Sequence, residues 1–130
     1  MNAQEEQRRI LQLIDDYVSA FEQADADMME SLFWIDDSRF CEVENDRRNP
    51  FGRETLLAIG DWMRKNAQPG GKMRFYETRL HILAPDVAYS VSMRDEYEGE
   101  TAIPSRVTLI FLKKGDTWKI IHGHFSHVPQ

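Results

Sequence analysis

Apolar side chains near the start of the chain recur at helical spacing. Ile10, Leu13, Ile14, Tyr17, Val18 and Phe21 follow an i, i+3, i+4, i+7 pattern, which predicts an amphipathic helix over residues 4–24. Acidic Glu5 and Glu6 in its first turns suit the helix dipole. Asp25 then offers an N-cap for a short second helix carrying Met28, Met29, Leu32 and Phe33. "SRFCEV" reads as a strand and ends in the polar loop "ENDRRNPFG", where Pro50 and Gly52 break regular structure. A third helix is expected over 53–67, with Leu56, Ile59 and Met63 on one stripe, Trp62 beside it, and "QPGG" as its stop. From Lys72 onward the pattern turns extended. "MRFYETRLHIL", "VAYSVSMRDEYEG", "IPSRVTLIFLKK" and "TWKIIHGHFSHV" are strands rich in Val, Ile, Tyr, Phe and Thr, joined by short turns that favour an antiparallel meander. Helices followed by a run of strands is an α+β order.

The last two strands are apolar on both sides. Val107, Leu109 and Phe111 share one face of the first, with Thr108, Ile110 and Leu112 opposite. In the second, Trp118, Ile120, His122 and His124 alternate with Ile121, Gly123 and Phe125. A sheet with helices on one side and water on the other alternates cleanly, so two apolar faces call for a second cover. The three helices are already used, and a homodimer through the sheet is the expected answer.

Bulk properties narrow the functional classes. The 130 residues suit one domain spanning 1–130, with enough chain for a real core. A net charge of −6 argues against a nucleic-acid surface, and no apolar run is long enough for a membrane span. One cysteine, Cys41, excludes an internal disulfide, and the charged N-terminus does not read as a signal peptide. The expectation is a soluble cytoplasmic protein.

"YVSAFEQADADMMESLF", "DDSRF", "FGRETLLAI" and "TWKIIHGHFSHVP" resemble segments of the nuclear-transport-factor-2-like superfamily, and the order of elements matches over nearly the whole chain. That superfamily includes ketosteroid isomerases, scytalone dehydratases, SnoaL-like cyclases and the association domain of calcium/calmodulin-dependent protein kinase. The resemblance implies a cone-shaped α+β barrel, in which a curved antiparallel sheet wraps a long N-terminal helix with two further helices. It also implies an apolar pocket, for which Phe21, Trp34, Phe40, Trp62, Tyr89, Met93, Leu109, Phe111 and Phe125 are the candidate linings, with a core role as the alternative for each.

By similarity to the isomerases, Glu42 falls at the carboxylate base and Tyr17 at the tyrosine that stabilises an oxyanion. Their second oxyanion donor maps to Leu109, which cannot donate a hydrogen bond. Glu42 could instead lie at a strand end facing Arg39 or Arg74. Arg94 and Arg106 are candidates for an anion contact, although similarity to the kinase association domain puts its pocket arginines at Met93, Leu109 and Phe125. His122 and His124 lie about 7 Å apart along one strand. That spacing suits a metal only with a third ligand, so an interface or structural role is favoured and no metal or cofactor is expected. His81 and His127 read as exposed, and Cys41 as a small strand residue. Two functions stay open. One is a small-molecule enzyme of isomerase, cyclase or lyase type acting on an apolar carbonyl compound. The other is a non-catalytic ligand-binding or association module.

Overall fold

The computed structural model describes residues 2–129. Helix α1 spans Ala3–Gln23, with Asn2 as its N-cap accepting from the Gln4 amide. It ends where Ala24 takes a left-handed conformation (φ 53°) and its N–H returns to the carbonyls of Ala20 and Phe21. Asp25 caps α2 (Ala26–Ser31), and α3 covers Arg53–Asn66. The strands are β1 (Cys41–Val43), β2 (Met73–Ala84), β3 (Val87–Glu98), β4 (Thr101–Lys114) and β5 (Thr117–His127). They form one sheet in the order β1-β5-β4-β3-β2. Helices cover its inner face, giving the α+β cone. No helix among the described residues is long and apolar enough to cross a membrane.

Two details depart from the expected meander. The first strand covers Cys41–Val43 rather than 38–43, and it runs parallel to β5, with Glu42 opposite Gly123. The chain from Phe33 to Phe40 bends away instead of pairing continuously: Phe33 bridges Ile120, and Asp37 turns the backbone through the Phe40 amide. The second departure is a register shift between β4 and β5, where Ile110 faces His122 but Phe111 faces Ile120. Ile121 is the extra residue of this bulge. It reverses the alternation of β5, so Trp118 and Ile120 point inward while His122 and His124 point outward. The expectation that these four share a face is corrected by this one residue.

A further irregularity lies in β2 between Tyr76 and Arg79, where Glu77 has a positive φ of 53°. Bulges bend a strand and increase its twist. Here they sit on both flanks of the long β3–β4 pair and bend the sheet around α1. The core is packed from Ile10 and Ile14 of α1 against Leu109, Phe111, Ile120 and Phe125, each of these four being at most 1% exposed. One end of α1 is fixed to the sheet by a polar cluster. Trp118 Nε1 donates to Glu6, and Lys113 Nζ lies 3.2 Å from the same carboxylate. Both charges are buried and paired, as burial requires.

Candidate functional site

Between α1, α3 and the concave face of the sheet lies a cavity of about 550 Å³. Leu56, Ile59 and Met63 of α3, Phe21 of α1 and Phe125 of β5 give it apolar walls. The apolar stripe expected on the third helix therefore bounds a hollow.

Glu42 stands on the cavity wall and is only 2% exposed. Its backbone is held from both sides: Glu42 and Phe51 exchange N–H···O bonds of 2.8 and 2.9 Å, and β5 pairs on the other edge. Space for the carboxyl comes from Gly123 directly opposite. A Cβ there would stand 2.9 Å from the Phe125 ring, 3.3 Å from Leu109 and 3.4 Å from Glu42 Oε1. Among the described residues, nothing donates a hydrogen bond to that Oε1. Burial pushes the Glu42 carboxyl well above the usual glutamate range. The charge and hydrogen bond of neighbouring Glu44 push it further, and Arg94 opposes them. Glu44, the next residue on the same side of the chain, is itself raised by burial, again opposed by Arg94. Both carboxyls therefore keep their protons to higher pH than isolated glutamates do.

Across the cavity, Tyr17 stacks on Phe125 at 6.0 Å and meets Phe75 edge-on at 5.9 Å. Its phenol oxygen accepts a long 3.5 Å contact from Arg94 Nη1, which leaves the phenol O–H to donate elsewhere. Burial raises the phenol above its ordinary range, with Arg94 opposing, so it stays protonated. Arg94 lies over the Phe125 ring at 4.6 Å and pairs with Glu96 at 3.2 Å, while its Nε finds no acceptor among the described residues. The result is a carboxyl pair, a phenol and a guanidinium around one apolar hollow.

Several expected residues lie elsewhere. Trp34 turns outward, donating Nε1 to the Leu112 carbonyl beneath the ammonium groups of Lys114 and Lys119. Phe40 packs against Phe33, and Leu109 and Phe111 are buried in the core below the cavity. Tyr89 and Met93 face the outer side of the sheet, where Tyr89 meets His81. Arg106 is on that side too and donates to the His127 carbonyl. Neither Arg39 nor Arg74 reaches Glu42: the first pairs with Asp37, and the second lies over Tyr76 near Asp95. His122 Nδ1 lies 2.9 Å from the Cys41 carbonyl, a strand-to-strand tie. His127 is exposed, as expected, and stands at the cavity edge. No group of three or more His, Cys, Asp or Glu side chains among the described residues could hold a metal ion.

Met93, placed at a pocket position by counting from the kinase domain, points outward, and Arg94, one residue on, lines the cavity. On β3, Ala88, Ser90, Ser92, Arg94 and Glu96 point inward, while Tyr89, Val91 and Met93 point outward. The more apolar set is outside, so hydrophobic alternation alone selects the wrong face. Glu96 pairs with Arg94, as a buried guanidinium requires. Glu44 was missed, and the available signal was its two-residue spacing from Glu42.

Comparison with curated proteins gives no match. Among solved structures, the chain resembles an NTF2-like protein of unknown function from Shewanella oneidensis (TM-score 0.77, 21% identity, covering 92% of this chain and 98% of that one). It also resembles the association domain of C. elegans CaMKII (TM-score 0.78, 15% identity, 95% and 96% covered). A third neighbour, from Parabacteroides distasonis, is provisionally named a ketosteroid isomerase (TM-score 0.68, 18% identity, 89% and 85% covered). At these identities the likeness is one of fold. The SnoaL-like domain family matches residues 10–130, and the chain belongs to that family.

Proposed function

We propose that this is a small-molecule pocket protein that transfers a proton on an apolar carbonyl compound, in the manner of an isomerase, cyclase or lyase. The supporting observation is the buried Glu42 carboxyl, with an oxygen that accepts no hydrogen bond, facing a cavity that also holds a phenol donor. Unpaired buried carboxyls cost stability, and such exceptions cluster at functional sites. With one proton between Glu42 and Glu44, the pair offers an ionised oxygen to remove a proton and an acid to return it. Removal of a proton alpha to a carbonyl leaves an electron pair delocalised onto the carbonyl oxygen. Tyr17 donates to that oxygen, and the positive charge of Arg94 stabilises it further.

The outer sheet face supports a homodimer. Tyr89, Val91 and Met93 of β3 lie beside Thr108, Ile110 and Leu112 of β4, and Val91 is 43% exposed in the isolated chain. Placing the apolar side of β3 outward stabilises only an assembly in which that side is covered.

The test is exchange of the alpha protons of an apolar cyclic ketone in deuterated water. Glu42→Gln and Tyr17→Phe each lower the rate by roughly a hundredfold or more. Equal exchange in the native protein and both variants would remove the proton-transfer roles, leaving the ligand-binding or association module as the function.

A further inference from the structure

We infer that the occupant of the cavity carries a protonated amine, held at the acidic mouth while its apolar body lies against the inner walls. This rests on the pocket reading above and adds the charge of the ligand. Five carboxyl groups line the cavity, those of Glu42, Glu44, Asp46, Glu96 and Glu98, against the single guanidinium of Arg94. That guanidinium is already engaged by Glu96 and by the Phe125 ring. The neighbouring cations lie off the cavity, Arg47 over Phe51 and Lys72 over Tyr97. Even with one proton shared by Glu42 and Glu44, Asp46 and Glu98 leave the entrance negative.

Two further features point to a cation. Glu42, 2% exposed on the cavity wall, has a carboxyl oxygen with no hydrogen-bond partner among the described residues and can accept one from a ligand. Trp62, 60% exposed, lines the cavity near Phe21 and gives an ammonium an aromatic face. A carboxylate ligand would meet this field with one arginine to receive it, already paired with Glu96 and keeping only its Nε without an acceptor among the described residues, and is selected against.

Calorimetric titration of the full chain at pH 7 with 4-phenylbutylamine, 4-phenylbutan-1-ol and 4-phenylbutanoate tests the idea. These probes share one apolar body and differ in charge. The expected order is amine, alcohol, carboxylate, with about tenfold between the first two. In the Asp46→Asn, Glu98→Gln double variant, the amine weakens by about threefold while the alcohol is unchanged, as exposed charges allow. Alcohol or carboxylate binding as tightly as the amine would overturn the inference and leave the pocket reading standing. An amine preference untouched by the double variant would overturn the placement at the mouth. If none of the three binds, the pocket reading falls and this inference with it.

Discussion

Replacing Glu42 by glutamine should make the protein more stable, and increasingly so as pH rises. Glutamine keeps the shape of the side chain and removes the charge that burial penalises. The folded-state titration of Glu42 lies above its unfolded value, so the folded chain holds the proton longer than the unfolded chain does. Below the unfolded value near 4.5 both states are protonated and the carboxyl adds no pH dependence. Above it, the unfolded state releases its proton first, and native stability falls until the folded carboxyl also ionises. Across that window the loss is about 1.4 kcal/mol per pH unit for one group. For a chain of 130 residues this corresponds to about 5 °C in Tm per pH unit. Thermal unfolding of the native protein and of Glu42→Gln, followed by circular dichroism from pH 4 to 8, measures the difference. The two curves converge near pH 4 and diverge above it, with the variant higher. Parallel curves would mean that Glu42 is solvated in the folded protein, and the site described above would lose its defining feature.

Gly123→Ala pushes a methyl against Phe125 and Leu109, both in the packed core. It should cost about 1–3 kcal/mol in a denaturant titration, whereas an unchanged midpoint would show that the opposing wall yields. Phe125→Ala removes a ring that is 1% exposed and supports both Tyr17 and Arg94. A loss of about 3–5 kcal/mol is expected. Ile110→Glu puts a charge on the outer face of the sheet, and equilibrium sedimentation should show a dimer for the native protein and a monomer for the variant. A native protein that is already monomeric at micromolar concentration would refute the covered-sheet argument.

The cone was legible in the sequence because its helices and long strands carry strong periodicity. Ile10, Ile14 and Tyr17 mark the inner stripe of α1, and the tight turns between β2 and β5 leave little topological choice. Side-chain direction was legible only where alternation is unbroken. In β5 the bulge at Ile121 separates His122 and His124 from Trp118, and no local signal in "WKIIHGHF" announces an extra residue. In β3 Arg94 and Glu96 turn inward onto the cavity, so at that end of the strand a site inverts the rule used to find the core. Glu42 was found by resemblance. Its partner Glu44 follows from strand geometry, but only once Glu42 is known to face inward. The parallel pairing of the three-residue β1 with β5, which sets that direction, joins segments some eighty residues apart and leaves no trace in local pattern.

The most direct measurement is a titration of the Glu42 side-chain carboxyl by carbon-13 NMR, with the signal assigned by its disappearance in Glu42→Gln. A midpoint well above the ordinary glutamate range, moving downward in Glu44→Gln, is what a buried carboxyl sharing a proton with its neighbour predicts. A midpoint near 4.5, indifferent to Glu44, would contradict it.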